Sequence, residues 1–380
     1  MKTSIQQRVG ALSAAKRALL EKTLQEKNRA NHAAQPSVPQ SAVTDRYPEK
    51  PLDFSLFFFA QESGNLSGQK YDFLLRAAAY ADRHGFHAIW TPERHYKDFG
   101  GLYPNPSVLS AALAATTQQI QIRAGSVVLP LHAAERVAEE WSVVDNLSGG
   151  RSGIAVAAGW NPDDFATCPE RFARRRELLL EKLAEVQRLW RGEPLNIAAD
   201  KPLRIYPSPI QAELPVWLTS LSHESFATAG RLGVNILTGM MEHDIDECAQ
   251  KIALYREMRA AHGHDPASGK VTVMLHTYLG DDEEEVKALV KAPMLNYLHA
   301  FVAAGEAKLH ADSQLASACM HEQAGDREAL LNYTFERYFA TRALMGTPAS
   351  CQQMALRLKN SGVDEIACLL DFGLDSATLF

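Results

Sequence analysis

Cysteine is scarce: five residues, Cys168, Cys248, Cys319, Cys351 and Cys368, in a chain of 380. They are far apart, odd in number and form no CxxC pair, which argues against a zinc site or a disulfide framework and for a reducing cytoplasm. No apolar run approaches the roughly 20 residues needed to cross a bilayer, so no membrane partner is expected. The opening stretch, MKTSIQQRVGALSAAKRALLEK, carries charges throughout and lacks the apolar core of a signal peptide. Positive charge is not in excess, with Lys+Arg 39 against Asp+Glu 45 and a net charge of −6. That balance gathers no polyphosphate, so no nucleic-acid partner is expected. Neither GxSxG nor a P-loop is present, which leaves esterase and NTPase readings without a motif. Asp371-Phe372-Gly373 has the form of the kinase magnesium motif, but a glycine-rich loop and HRD are missing. No internal repeat of about 20–50 residues is visible.

What remains is an ordinary soluble composition, 46% hydrophobic and 22% charged. The length suits two to three domains of about 150 residues, or one α/β barrel of about 250 with insertions. Residues 4–30 place Ile5, Val9, Leu12, Leu19, Leu20 and Leu24 at near-helical spacing, predicting an amphipathic helix over 1–30. Residues 31–51, rich in Pro, Gln, Ser and Ala, read as a flexible linker. The compact domain, 52–380, begins at Leu52.

From there strands and helices alternate. Strands are expected at 52–60, 87–91, 120–130, 152–160, 215–220, 234–239, 271–280 and 363–373. Helices are expected at 68–85, 105–119, 134–151, 170–192, 223–233, 244–263 and 347–362. Residues 193–214, with Pro-rich turns and strand-like pieces, and the mostly helical 281–345 read as insertions. Eight alternations favour a (β/α)8 TIM barrel over a doubly wound sheet.

In such a barrel the reactive side chains lie at the C-terminal strand ends and in the loops that follow. Those ends are aromatic and rich in small residues, with few acids, which does not suit a dinuclear metal or glycosidase site. They suit a flat, partly apolar cofactor with an anionic tail. The stretch Thr219–Ser225 leads straight into a helix, and hydroxyls beside free N–H groups at a helix start make an anion site. The plain alternative there is a serine N-cap. His276 could hydrogen-bond a backbone carbonyl, His95 could join Glu93 and Arg94 in a salt-bridge cluster, and Met240-Met241 could be packing.

The segments AIWTPERHYKDFGGLYPNPSVL, IRAGSVVLPLHAAERVAEEWSVVDNLSGGR, GIAVAAGWNPDDF, LPVWLTSLSHESFATAGRLGVNILT and VMLHTYLG resemble the bacterial luciferase-like flavin monooxygenases. The branch of non-ribosomal peptide and polyketide pathways is the more particular likeness. It runs from about residue 52 to 373. The segment LSAAKRALLEKTL separately resembles the short helix that often follows a domain in peptide-synthetase assembly lines.

The resemblance implies a TIM barrel that binds reduced FMN non-covalently and lets O2 add to the flavin C4a, the resulting peroxide oxygenating a substrate. That substrate is expected to be an amino-acid or acyl group, as a small molecule or tethered to a carrier protein. The electron source is a flavin reductase or NAD(P)H, and a homodimer is admitted. Carried over by residue, Ser222 and Ser225, with Ser220 and His223 beside them, take the FMN phosphate. Gly159 and Trp160 line the phosphate and ring edge, Gly125-Ser126 take the place of a non-proline cis peptide under the flavin, and Phe59 adds to the wall. His95, Arg94 and His276 are the catalytic candidates. Arg94 stands where luciferases proper carry a catalytic histidine, a departure that argues against light-emitting aldehyde chemistry. Ala158 replaces a phosphate-binding arginine, so hydroxyls, backbone or another arginine must serve. Phe57, Phe59, Trp90, Trp160 and Met240-Met241 could keep water from the reacting centre. Two other readings are a deazaflavin-dependent hydride-transfer oxidoreductase on the same barrel and a non-catalytic partner subunit.

Overall fold

The computed structural model describes residues 50–59, 70–197, 201–241, 243–311 and 324–374, and for 301–311 and 324–330 the backbone alone. The helix expected over 1–30 and all but Lys50 and Pro51 of the linker lie outside these residues.

Nine parallel strands are present among the described residues: β1 (Asp53–Phe57), β2 (Ala88–Thr91), β3 (Gln121–Val128), β4 (Ser152–Ala157), β5 (Val216–Thr219), β6 (Asn235–Gly239), β7 (Val271–Leu279), β8 (Leu344–Gly346) and β9 (Glu365–Leu369). β1 pairs with β2 and so on in order to β6, β6 pairs with β7, β7 with β9, and β9 with β1. The sheet therefore closes on itself as an eight-strand TIM barrel. Five registered pairs, from Asp53–Glu365 to Phe57–Leu369, join β1 to β9. β8 lies outside the ring, on the far end of β7.

The helices are α1 (Asp72–Arg83), α2 (Pro106–Thr116), α3 (Ala134–Ser148), α4 (Glu170–Ala173), α5 (Arg175–Trp190), α6 (His223–Leu232), α7 (Ile245–Ala261), α8 (Glu283–Ala311), α9 (Ala324–Thr341) and α10 (Pro348–Asn360). Asn105 caps α2 by accepting from Ser107 and Val108 N–H ahead of Pro106, the start its Asn-Pro sequence predicts. The expected helix 170–192 is two, α4 and α5, parted at Arg174. Among the described residues of 193–214 the expected strand pieces are not found; isolated contacts such as Leu195 N–H to Leu203 C=O stand in their place.

Two apolar layers hold the barrel. One fills the space between strands and helices, with Ile122, Ile154, Leu218 and Val273 against Trp141, Phe226 and Tyr255. The second starts inside the barrel with Phe57, Trp90, Trp217 and Leu369 and continues into the roof helices through Tyr297 and Tyr338. Low in the barrel, Arg123 is sandwiched between Trp217 (4.3 Å) and Trp90 (4.9 Å) and pairs with Glu365 at 2.8 Å. Burial alone would raise the Glu365 carboxyl, but Arg123 and the Ser55 hydroxyl outweigh it and hold it below the usual range. The base of the barrel is a packed ionic layer, so the chemistry belongs to the opposite end.

Candidate functional site at the barrel mouth

The loop after β2 carries Glu93, Arg94 and His95 and brings the first and last of them together. Glu93 is buried, and its carboxylate accepts from His95 Nε2 (2.8 Å), His132 Nε2 (2.5 Å) and Val128 N–H (2.6 Å). Burial pushes this carboxyl up, but the two imidazole bonds and the Val128 N–H carry it below its ordinary range. The bond to Glu93 raises the His95 imidazole against the opposing effect of burial. His95 is thus a member of a salt-bridge cluster, with His132 as a partner that spacing did not reveal.

Arg94 points elsewhere. Its Nη1 donates to Asp164 Oδ2 at 2.7 Å, and its guanidinium lies 4.7 Å from the centre of the Trp160 ring. Asp164 also accepts from His95 N–H at 3.1 Å, so both its oxygens are engaged. Asp163, its neighbour in sequence, forms an exposed pair with Lys97.

The roof supplies the rest. His276, in the second half of β7, is wholly buried, with Nδ1 2.7 Å from Tyr338 Oη and Nε2 without a partner among the described residues. The partner is a roof tyrosine, not the backbone carbonyl of the plain expectation. Burial pushes this imidazole down to about 3, so the ring is neutral. Tyr297 of α8 stands edge-on to His276 at 4.4 Å and to Phe99 at 5.0 Å, and Phe99 meets Phe59 at 4.9 Å. Asp371 ties the end of β1 down, accepting from Phe59 N–H (2.6 Å) and Tyr103 Oη (2.7 Å). That is the role of the DFG-like triplet. Met240 belongs to the layer between strands and helices, while Met241 touches the inner one.

At the ends of β3 to β5 the chain is built of small residues. The Gly125–Ser126 peptide is cis, as the resemblance implied, and the β3–β4 register shifts there. Ser126 Oγ hydrogen-bonds Thr219 Oγ1 across to β5. Gly159 has φ +81, and a Cβ there would stand 2.7 Å from the Phe165 ring. Ser222 and Ser225 form a reciprocal capping box at the start of α6, with exposed His223 as its first residue. The capping reading is therefore realised: Ser222 Oγ accepts from Ser225 N–H, and the two N–H groups before it belong to the first turn, which has no intrahelical acceptors. Ser220 is a correction: it is buried and its hydroxyl donates to Leu218 C=O, so that donor is spent inside. A cation absent from the expected set lies close by. Arg175 Nε donates to Gly159 C=O at 3.2 Å, bringing a guanidinium to the β4 end where Ala158 offers none. The run of four arginines, Arg171 and Arg174–Arg176, was the only signal for it.

These residues fit a flavin nucleotide: small residues and a helix start for an anionic tail, aromatic walls for a flat ring, and an unpartnered buried nitrogen on His276.

Comparison with known proteins agrees. Residues 52–365 match the family model for luciferase-like monooxygenases, and the chain belongs to that family. It is a flavin-dependent monooxygenase. The oxygenase component of the flavin-dependent trigonelline monooxygenase of Acinetobacter baylyi is 28% identical over 271 residues, 67% of this chain and 71% of that one. The oxygenating constituent of 3,6-diketocamphane monooxygenase from Pseudomonas putida, in complex with FMN, superposes with a TM-score of 0.67 at 17% identity, covering 84% of this chain and 91% of that one. An F420-dependent secondary alcohol dehydrogenase shares the fold with a TM-score of 0.63 at 16% identity, covering 86% and 97%. Among the described residues no helix is long and apolar enough to cross a membrane.

Proposed function

We propose that the protein is the oxygenating component of an FMN-dependent system that inserts or adds one oxygen atom from O2 into an amino-acid or acyl intermediate of specialised metabolism, free or carrier-tethered. A flavin reductase or NAD(P)H would supply the electrons. The observation that carries this reading is the composition of the mouth: aromatic walls on the β1, β2 and roof side, small and hydroxyl-bearing residues on the β3–β5 side.

Reduced FMN, when bound, supplies the electrons that activate O2. The chain does the rest. The α6 start with Ser222 and Ser225, helped by Arg175, holds the phosphate. Gly125, Ser126 and Gly159 leave room for the ring system. Phe59, Phe99, Trp160 and Tyr297 exclude water, which an activated oxygen species requires. His276, neutral and fixed by Tyr338, offers Nε2 to a hydrogen bond in the mouth, and Glu93 holds His95 and His132 together at the rim.

Titrating FMN and F420 separately into the protein, and following flavin fluorescence, tests the cofactor. Micromolar binding of FMN with none of F420 is expected. Preference for F420 would favour the hydride-transfer reading, and no binding of either would favour a non-catalytic subunit. Single turnover with reduced FMN and 18O2, read by mass spectrometry of candidate acids, amides and carrier-bound acyl groups, tests the oxygen transfer.

A further inference from the structure

Arg94 is 2% exposed and only half satisfied. One edge of its guanidinium is engaged, Nη1 donating to Asp164. The other edge, Nε and Nη2, is buried and has no partner among the described residues. These two nitrogens carry parallel N–H bonds in one plane, the fork that matches both oxygens of a carboxylate. Two buried, unpaired donors on a charged group are unfavourable unless something arrives to meet them.

The described acids around the mouth are committed elsewhere. Both oxygens of Asp164 are occupied, by Arg94 Nη1 and His95 N–H. Asp371 is held by Phe59 N–H and Tyr103 Oη, and Glu93 by two histidines and Val128 N–H. The arginine itself cannot easily swing to another partner. Its guanidinium rests on Trp160, and its stem is so close to Gly100 that a Cβ there would be 3.0 Å from Arg94 Cγ.

We propose that the Nε–Nη2 edge of Arg94 receives the carboxylate of the substrate, so that the enzyme acts on an organic acid bound acid-end first against Trp160. The identification of that acid as substrate rests on the function proposed above. Asp164 neutralises part of the guanidinium charge and fixes its plane, which suits a monoanion with two coplanar oxygens. The neighbouring Trp160, Phe99 and Tyr297 rings suit a flat, apolar body behind the acid.

The test uses the full chain, with FMN affinity measured first. Sodium benzoate against benzamide, and acetate against acetamide, are then titrated by calorimetry with and without FMN. In the wild type at least one acid should bind tenfold or more tightly than its amide. Arg94→Lys, which keeps the charge but not the fork, should lose most of that discrimination, and Arg94→Met all of it, with FMN affinity changed less than threefold. Circular dichroism confirms that each variant is folded, and the wild-type acid–amide comparison stands even if Arg94→Met is not. Equal affinity for acid and amide in the wild type overturns the proposal, as does discrimination that survives in Arg94→Lys. A tenfold loss of FMN affinity in Arg94→Lys without acid discrimination would assign the edge to the flavin instead, and also overturns it. Acid discrimination in a protein that binds no FMN would uphold the carboxylate site and remove the flavin reading.

Discussion

Arg94 and Asp164 meet at 2.7 Å across 70 residues of sequence, both side chains almost entirely out of solvent. The contact joins the loop after β2 to the turn after β4. Asp164→Asn should leave a guanidinium buried with no counter-charge, at a cost of about 3–5 kcal/mol. Urea unfolding measures the loss. The double variant Arg94→Met/Asp164→Asn should recover part of it, because no charge then remains buried. A single variant as stable as the wild type would show that the pair is open to water in solution.

Acid should weaken the fold in two stages. Folded His276 accepts a proton only near 3 and His243 only near 4, burial being the main cause in both and Lys251 adding to it at His243. Unfolded imidazoles accept one near 6.5. Below that value the unfolded chain binds more protons, so stability falls as pH drops, by up to about 1.4 kcal/mol per unit for each histidine. The depressed carboxyls of Glu93 and Glu365 act lower. Their stabilisation is present above the unfolded carboxylate pKa and is lost as pH falls through the folded one. Melting between pH 7.5 and 5 should show the first slope, reduced in His276→Asn. A flat profile would contradict burial of both rings.

Ser222→Ala and Ser225→Ala separate two roles of the same hydroxyls. Loss of the Ser222 cap should cost about 1 kcal/mol of stability. Loss of a neutral phosphate contact should cost about 0.5–1.5 kcal/mol of FMN affinity for each serine. Stability lost with FMN affinity intact would leave only the capping role and move the phosphate elsewhere.

Gly159→Ala should be poorly tolerated. The backbone there is left-handed, costing an L-residue about 1–2 kcal/mol. The new Cβ would also press on the Phe165 ring at 2.7 Å and on Val128 Cγ1 at 2.9 Å, adding about 1–3 kcal/mol of overpacking. Reduced melting temperature together with weaker FMN binding is expected. An unchanged protein would mean that the β4 end can shift freely.

The barrel was legible because its signals are local. Buried strands read as apolar runs, helices as 3.6-residue periods, and starts such as Asn105-Pro106 as caps. Arg174, a residue with good helix propensity, carried no mark of the break between α4 and α5. β8 is three residues long, too short to show a period. The mouth was legible in membership and less so in wiring. Arg94, His95 and His276 do stand on or just beyond strands, but Arg94 meets Asp164 70 residues away, His95's acceptor Glu93 meets His132 39 away, and His276 meets Tyr338 62 away, reckoned from the numbering. Only folding brings such groups together. Ser220 was misread for a related reason: the resemblance set it beside Ser222 and Ser225 but did not show that its hydroxyl turns back to its own strand.

The seam between β1 and β9 has a consequence for how the protein is made. Its two halves come from opposite ends of the barrel sequence, Asp53–Phe57 and Glu365–Leu369. While a ribosome is still translating, the cylinder has no final stave, and the indoles of Trp90 and Trp217 have no sealed chamber to occupy. Biogenesis is therefore exposed to aggregation for nearly the whole length of translation, and a helper that shelters nascent chains should raise the yield more than a lower growth temperature alone.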